Sequence, residues 1–572
     1  MAILSNTTTH ATEGRPGKGF EQDRQWNWRN FWICFALASS GMAAFGYPSS
    51  IIGVTLAQPS FLFYMKLIDP ATGEKAHNAD SLIGAMSGVF QAGACIGVMM
   101  ASEIMDRWGR KAAAAFCVVT SLIGGAGLTG SVNTTMFIIF RLIAGGGAWG
   151  FLTLIPVYMA ELAPPKLRGF FVGLIGVFIN VGYSIATYMG LAFYYVENNP
   201  GAQWRGPLGL ALIFPAIHML VVLWAPESPR YLLMKGQVED AKRIVMDIHK
   251  VPNDPDQEYA RGEFYQMQKQ AEFDRSLAPT YRAMFFKKSY RQRNLLACGF
   301  AFLGQSTAVL VINNYGPTLY GALGYGTVDQ LKLQCGWITI GNFANLFGAV
   351  IIDRVGRRLL MLGGIFGCCI CLIIEAAIVA NFASPVPTTP NFPALRAGVA
   401  MLYLFLLCYG CGVDVGGVVF YSEVFPNHIR ARGVAMAICV TSLADLIYLQ
   451  VAATAFANIG WKFFLVFIII SGLGGIVAFF VIPETKGLPL EEISAIFGDT
   501  DEVVVYSEDI HVDHQTHDLV VDVHTGKTVG DPGVEPVRKV ATEAPGDQGD
   551  NKMEAAHVEG SALITSSTEK DT

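Results

Sequence analysis

Twelve long apolar runs constrain this chain more than any other feature of its sequence. Each run is about 20 residues long or longer, the length that an α-helix needs to cross the hydrocarbon layer of a membrane. Hydrophobic residues make up 52% of the 572 residues, and charged residues make up only 15%. We therefore predict an all-α membrane protein with spans at 31–54, 82–102, 112–131, 136–160, 170–194, 207–225, 294–320, 333–352, 359–381, 396–421, 433–456 and 461–482.

Three short charged phrases occur twice, and each copy lies where an apolar run ends. The paired phrases begin at Glu161 and Glu423, at Asp106 and Asp353, and at Pro226 and Pro483. The phrases recur in the same order, and the two copies of each phrase are separated by nearly the same number of residues, which indicates two copies of one unit. Six runs precede the polar stretch 226–293 and six follow it, so we predict two pseudo-symmetric six-helix domains.

The apolar runs also divide the chain into five predicted parts. These are an N-terminal segment at 1–30, a six-helix domain at 31–225, a linker at 226–293, a second six-helix domain at 294–482 and a tail at 483–572. Apolar residues recur at helical spacing in the linker, where we expect amphipathic helices. The tail is polar and acidic and lacks a long apolar run, so we expect it to be largely disordered.

Lysine and arginine are concentrated in the loops on one side of the predicted bundle. This side holds Arg107, Arg110, Lys111, Lys166, Arg168, Arg354, Arg357, Arg358, Arg430 and Arg432, whereas the opposite loops carry fewer basic residues. The positive-inside rule makes this side cytoplasmic. We therefore expect both termini in the cytoplasm, with the plasma membrane as the default location.

The duplicated phrases predict a charge network at the cytoplasmic ends of the spans. A topology signal would explain one basic loop, but two copies at equivalent positions favour a lock that holds neighbouring helices in one state and releases them in another. We expect Glu161 and Glu423 to face the arginines across the two domains. The expected network consists of Asp106, Arg107, Arg110, Glu161, Arg168, Glu227, Arg230, Asp353, Arg354, Arg357, Glu423, Arg430 and Glu484.

Several motifs resemble those of the sugar porter family of the major facilitator superfamily. The loops that begin at Asp106 and Asp353 look like the superfamily signature, and sugar porter motifs are similar to those at Arg141, Pro156, Pro226 and Pro483. The resemblance covers roughly residues 30–495. It implies twelve helices in two domains, a central binding site and alternating access. It also implies that the charge network closes the inner gate.

The expected binding site departs from the family pattern. Proton-coupled members often carry an acid in the first span where this chain has Pro48, so proton coupling through that position is excluded. Gly176 stands where the fifth span usually supplies a glutamine, and Leu310 where the seventh supplies an asparagine. Val418 replaces a tryptophan of the tenth span. One family glutamine remains, as Gln305.

Acidic residues lie within three of the predicted spans, at Glu375, Asp414 and Asp445. An ionisable group at such a depth costs about 3 kcal/mol or more, so it usually faces a cavity or a partner. We interpret Asp414, together with Asp445, as lining the central cavity, where Asp414 could take a proton, bind hydroxyls or face a cationic solute. A structural acid is the alternative. The expected substrate-binding residues are Gln305, Asn313, Asn314, Tyr315, Asn342, Asp414 and Asp445.

These features predict a secondary active or facilitative transporter of a sugar or a related polyhydroxylated solute. The altered pocket leaves open an organic acid, an amine or an exported metabolite, and a transporter-like nutrient receptor is the alternative of another class. We expect no enzymatic activity, catalytic residue, cofactor or metal site. The expected partners are the solute and the lipid bilayer, with coupling to protons left open. We expect no nucleic acid partner, and the chain is expected to be a monomer.

Overall fold

The structure is a computed structural model that describes most of the chain between residues 27 and 486. The described residues are 27–68, 76, 79–163, 168–196, 199–250, 257–275, 281–383, 391–486 and 497, with tail segments at 510–512, 519–521 and 538–540. The side chain of Arg168 and most of the tail, for which disorder was expected, lie outside this description.

Eight helices build the first half of the bundle. They are α1 (Trp28–Leu56), α2 (Pro59–Tyr64), α3 (Ala79–Trp108), α4 (Arg110–Thr129), α5 (Thr134–Leu162), α6 (Arg168–Tyr194), α7 (Pro200–Leu210) and α8 (Ile213–Trp224). Asparagine side chains accept hydrogen bonds from the first turns of α1, α5 and α7, at Asn27, Asn133 and Asn199. These contacts satisfy backbone N–H groups that a helix start leaves without partners.

The linker forms four shorter helices. They are α9 (Pro229–Met234), α10 (Val238–Ile248), α11 (Glu258–Asp274) and α12 (Tyr281–Phe286). The first three pack around a small apolar core that includes Leu233, Val245 and Met267. Arg29 at the start of α1 pairs with Asp247 of α10 at 2.5 Å, so the linker is attached to the first half.

Eight further helices build the second half. They are α13 (Lys288–Gln305), α14 (Val309–Ala322), α15 (Thr327–Val355), α16 (Arg357–Ile378), α17 (Phe392–Cys408), α18 (Val415–Val424), α19 (Arg430–Ile459) and α20 (Phe463–Val481). Two π-helical segments, Val379–Ala383 and Tyr409–Asp414, follow α16 and α17. Short 3-10 turns at Asn427–Ile429 and Gly460–Lys462 precede α19 and α20.

Twelve membrane-spanning segments result within the described residues, as the sequence predicted. Nine helices each form one span, and two of them, α16 and α20, are extended at one end by a short π-helical or 3-10 segment. The pairs α7–α8, α13–α14 and α17–α18 form the other three spans. The bundle is thus an all-α membrane fold in two six-span halves, which meet mainly where α3 packs along α19 and α6 along α15.

The seventh span is broken, although the sequence predicted one continuous helix. Ser306 and Thr307 donate their hydroxyls to the backbone oxygens of Phe302 and Gly304, each at 2.7 Å. Such side chains compete with helical hydrogen bonding. Ala308 then adopts a left-handed backbone with φ +75°, and α14 begins in a new phase.

Part of the tail differs from the expected disorder. Three strands, β1 (Ile510–Val512), β2 (Leu519–Val521) and β3 (Arg538–Val540), pair antiparallel in the order β1-β2-β3. Val and Ile are frequent in these strands, and β-branched residues favour extended structure.

Candidate functional site

A cavity lies between the two halves of the bundle. Its space is about 820 Å³, including the part that opens to solvent. The α5 and α6 helices of the first half face the α13–α14 and α17–α18 spans of the second across it. The lining residues are Phe45, Trp149, Leu152, Ile179, Asn180, Tyr183, Gly304, Gln305, Val309, Leu310, Asn313, Trp337, Leu406, Tyr409, Val413, Asp414, Gly417, Val418, Tyr421, Ile438 and Thr441.

Three of the predicted binding residues, Gln305, Asn313 and Asp414, lie in the cavity wall. The Oε1 of Gln305, the Nδ2 of Asn313 and the Nε1 of Trp149 are buried without a hydrogen-bond partner among the described residues. Buried polar atoms normally have partners. One acceptor and two donors on lining residues therefore lack a partner within the described part of the protein, and they could bind a solute once these side chains turn towards the cavity.

The cavity wall is otherwise largely aromatic. Trp149, Tyr183, Trp337, Tyr409 and Tyr421 surround the polar groups. The ring of Trp337 is held in place because its Nε1 donates to a backbone oxygen of α17 at 2.8 Å. Flat rings cover the apolar faces of a ring-shaped solute, while the few polar groups fix its orientation.

Asn180 is a cavity residue that was not predicted from the sequence. Its Nδ2 donates to the Oδ2 of Asp414 at 3.4 Å and so joins the first half to the second. A signal was present, because Gly176, Asn180 and Tyr183 recur at helical spacing on one face of α6. Trp149, Tyr409 and Thr441 carried no comparable signal.

Four predicted binding residues lie outside the cavity lining, namely Asn314, Tyr315, Asn342 and Asp445. The Tyr315 hydroxyl donates to the backbone oxygen of Leu449 at 3.2 Å, within the second half. Asn342 donates to the Oγ of Ser184 at 2.7 Å and links the halves. Asp445 is buried, and its Oδ2 has no hydrogen-bond partner among the described residues.

The positions that depart from the family pattern surround the cavity. Leu310 and Val418 are part of its wall, so apolar side chains stand where the resemblance implies an amide and an indole. Gly176 lies against α15. A Cβ atom there would be 2.4 Å from the Oδ1 of Asn345, so Asn345 occupies the space that a larger residue at 176 would need.

Two equivalent ion pairs lie near the basic face, the end of the bundle that carries Arg110, Arg357 and Arg432. The Nε and Nη2 of Arg110 donate to Glu161 at 2.8 and 2.6 Å. The same atoms of Arg357 donate to Glu423 at 3.2 and 2.9 Å. Both pairs are buried and bidentate, a geometry that favours a fixed arrangement.

A second carboxylate completes each copy of this arrangement. Glu227 accepts hydrogen bonds from the first two backbone N–H groups of α4 at 3.0 and 3.2 Å. Glu484 does the same for α16 at 2.9 and 3.1 Å. A negative charge stabilises a helix start. Gly109 and Gly356, with φ +96° and +98°, allow this close approach.

The ion pairs correct one expectation about the charge network. Glu161 and Glu423 do not face arginines across the two halves, because each binds the arginine of its own half. At the basic face the halves are connected instead by Arg432, whose Nε lies 3.0 Å from Glu103 and whose Nη1 lies 3.6 Å from Asp106. The duplicated phrases predicted Asp106 as part of the network but neither Glu103 nor Arg432.

The remaining network residues lie near these pairs. Asp353 pairs with Arg357 at 3.0 Å. Arg430 is buried and donates to a backbone oxygen at 3.2 Å, and Arg230 is buried in the first turn of α9. Arg107 lies over the ring of Trp108. The backbone oxygen of Arg354 accepts from Lys486 at 2.6 Å.

The tyrosine at the start of α12 contacts the link between the halves. The guanidinium of Arg432 lies 5.4 Å from the ring centre of Tyr281, and the Tyr281 hydroxyl lies 3.1 Å from the Oγ of Ser102. Burial raises the pKa of Tyr281, so its hydroxyl stays neutral at physiological pH. The linker is thus in contact with both halves.

Two six-span halves around a cavity with a few polar groups define a transporter of the major facilitator superfamily. The chain belongs to the sugar (and other) transporter family, whose model matches residues 33–497. It is a multi-pass membrane transporter and not an enzyme, as the sequence predicted.

Relatives and a solved structure agree with this assignment. The chain is 28% identical over 468 residues to the MFS-type transporter criB of Aspergillus cristatus, covering 82% of this chain and 93% of the relative. It is 27% identical to the high-affinity glucose transporter of Kluyveromyces lactis, covering 74% and 79%. It is 28% identical to a probable quinate permease of Aspergillus fumigatus, covering 82% and 88%. The proton:xylose symporter XylE matches with a TM-score of 0.71 at 21% identity, covering 82% of this chain and 100% of XylE.

Proposed function

We propose that the chain carries an uncharged, polyhydroxylated solute of the sugar class across a membrane through the central cavity. The observation that supports this proposal is the set of unpaired polar atoms on Gln305, Asn313 and Trp149 in an otherwise aromatic wall. Hydroxyl groups both donate and accept hydrogen bonds. A sugar therefore matches one free acceptor and two free donors, and its ring faces match the aromatic side chains.

Transport would proceed by alternating access of this cavity. Within the described residues, polar contacts join the two halves at separate points, among them Asn342 to Ser184 and Arg432 to Glu103. Each half is stiffened by its own buried ion pair, so the halves are suited to move as rigid bodies. The excess of arginine supports a cytoplasmic basic face, with both termini on that side and the plasma membrane as the expected location.

A second candidate is a less polar, ring-shaped metabolite. Leu310 and Val418 favour it, because they place apolar side chains where the family resemblance implies an amide and an indole. A probable quinate permease among the relatives fits a hydroxylated ring, but quinate carries a carboxylate. Asp414 would repel that charge when it is ionised.

Solute uptake into cells that lack their own hexose transporters tests both candidates. Cells that produce the full chain are given labelled glucose, xylose or quinate. Saturable uptake of glucose or xylose supports the sugar class and counts against the second candidate, and uptake of quinate alone contradicts an uncharged solute of the sugar class. The variants Gln305→Ala and Asn313→Ala should each reduce uptake, whereas Gln237→Ala, at an exposed position in the linker, should not.

Counterflow in proteoliposomes completes this test, because it detects exchange in either direction and so covers an exporter. Purified full-length protein is reconstituted with unlabelled glucose inside, and entry of labelled glucose is followed. Failure of every solute in both assays, with correctly folded protein, contradicts transport through this cavity and favours a receptor.

A further inference from the structure

The carboxyl group of Asp414 has an unusual place in the cavity wall. It ends the π-helical segment Tyr409–Asp414 and is half-buried. It is the one carboxylate among the lining residues. π-Helical turns are rare and often occur at functional sites. The segment places Asp414 opposite α6 of the other half.

Two amides flank the Asp414 carboxyl, one from each half. The Nδ2 of Asn180 on α6 donates to its Oδ2 at 3.4 Å, and the side-chain amide of Asn345 on α15 lies beside the same group. The Oδ1 of Asn345 has no hydrogen-bond partner among the described residues. If the Asn345 side chain rotates, this oxygen can accept a hydrogen bond from a protonated Asp414, while Asn180 donates to the ionised form.

No basic residue of the described ranges pairs with Asp414. The titratable groups that face it are Tyr183 on α6 and Tyr409 and Tyr421 on its own span. Two more titratable groups lie next to these tyrosines, namely Asp445 on α19 and Cys298 on α13. The residues of α15 and α16 that pack against the segment, such as Asn345 and Leu360, bring no charge. An unpaired carboxylate within a membrane span is costly, so a bound proton stabilises it.

We propose that Asp414 is a proton-binding site that couples solute transport to the proton gradient. The carboxylate takes up one proton from the side to which the cavity is open and releases it on the other side with the solute. Protonation changes the hydrogen bond between Asp414 and Asn180, which joins the halves beside the solute. The first span offers no such group, because Pro48 stands at the acid position and its backbone oxygen binds Arg141 at 3.1 Å.

This proposal rests on the proposed function, and reconstituted transport separates the two. Proteoliposomes containing the full-length wild type, Asp414→Asn or Glu375→Gln are tested for glucose counterflow and for accumulation driven by an inward proton gradient. Glu375 is a matched control, because it is a buried acid within a span and lies outside the cavity lining. Asparagine preserves the shape of the Asp414 side chain while removing its proton site.

We expect the wild type and Glu375→Gln to accumulate solute and to lose this accumulation with an uncoupler. Asp414→Asn should fail to accumulate solute, and its counterflow shows whether the variant still binds and carries the solute. Accumulation by Asp414→Asn at the wild-type level overturns the proposal, as does wild-type counterflow without accumulation. Absence of wild-type counterflow with each of glucose, xylose and quinate overturns the proposed function as well.

If Asp414→Asn also loses counterflow, proton uptake during solute binding tests the proposal instead. Solute is added to purified protein in weakly buffered detergent solution, and the pH is recorded. The wild type and Glu375→Gln should take up a proton for each solute bound. Asp414→Asn should take up none, and proton uptake by that variant equal to the wild type overturns the proposal.

Discussion

The residue pair Gly176 and Asn345 shows how one position of the cavity wall depends on another. The family resemblance implies a glutamine on α6 at position 176. Asn345 on α15 supplies an amide next to that position instead, and its Oδ1 would be 2.4 Å from a Cβ atom at 176. A side chain at 176 therefore requires that the side chain of Asn345 move away from this position.

The variant Gly176→Gln should reduce uptake about tenfold, since overpacking costs roughly 1–3 kcal/mol. Gly176→Gln combined with Asn345→Gly should recover much of the loss, because the second change opens the space that the glutamine needs. The control is Gly299→Ala, where nothing lies within 4 Å of an added Cβ atom. Initial uptake rates measure these effects. Unchanged uptake by Gly176→Gln would contradict the close contact between position 176 and Asn345.

A polar group at Leu310 distinguishes the two solute classes. Leu310→Asn adds an amide to the cavity wall, and one hydrogen bond contributes about 0.5–1.5 kcal/mol. We therefore expect the KM for a sugar to fall by roughly 2–10-fold. A rise in KM, measured by concentration-dependent uptake, would indicate that the apolar surface of Leu310 binds the solute.

Single residues also show what the sequence could predict about the site. The sequence could predict cavity positions for Gln305, Asn313 and Asp414, because polar groups within apolar spans are few and need partners. Trp149 and Tyr409 could not be recognised in this way, since 12% of the chain is aromatic and aromatic side chains are frequent in the core as well. Asn314 and Tyr315 lie outside the lining because the break at Ala308 sets the phase of α14.

At the scale of secondary-structure elements, a buried ion pair joins the start of α4 to the end of α5. The side chains of Arg110 and Glu161 are only 7% and 3% exposed. Arg110→Ala leaves Glu161 buried without its arginine, which should cost about 3–5 kcal/mol of stability. The double variant with Glu161→Ala should recover part of this loss, because no unpaired charge remains at that position.

Thermal unfolding in detergent measures these differences. The control is Arg29→Ala, which breaks the pair with Asp247, whose side chains are 59% and 50% exposed. That change should cost less than about 1 kcal/mol. Equal losses for Arg110→Ala and Arg29→Ala would contradict a structural role for the buried pair.

The sequence could predict that these charges form a network but not which residues pair. The duplicated phrases place Glu161 and Glu423 at the ends of spans, and the arginines in the adjacent loops. Sequence spacing contains no information on whether Arg110 turns towards its own half or the other. The packing of α5 against α4 decides this, and it brings Glu161 to Arg110.

At the scale of the whole molecule, Arg432 joins the two halves at the basic face. Its pairing with Glu103 involves a half-exposed carboxylate, so it should contribute about 1 kcal/mol or less. Arg432→Ala should then favour opening of this face by up to about fivefold. The half-buried Cys95 lies beside Ser442 at the same interface and reports on opening.

Labelling of Cys95 by a maleimide, read by mass spectrometry of its peptide, measures this change. The labelling rate of Cys95 should rise by up to about fivefold in Arg432→Ala. Lys332→Ala, which breaks an exposed pair within α15, should label like the wild type. An unchanged rate in Arg432→Ala would show that other contacts hold the basic face closed.

The whole architecture was the most predictable level of this molecule. Twelve spans in two halves follow from the apolar runs and the repeated phrases, and the structure confirms them. The interruptions at Ala308 and at Tyr409–Asp414 were not predictable, because hydropathy does not distinguish a continuous helix from a broken one. These interruptions border the cavity, where backbone groups away from lipid can leave regular geometry.

The π-helical segment before α18 makes the cavity sensitive to chain length as well as to residue type. Each residue advances an α-helix by about 100°. Deletion of one residue from Tyr409–Asp414 would change no side chain of α18, yet it would rotate α17 relative to Asp414 by about that angle. A one-residue insertion in an ancestral helix could therefore bring an acid to face the solute without any substitution.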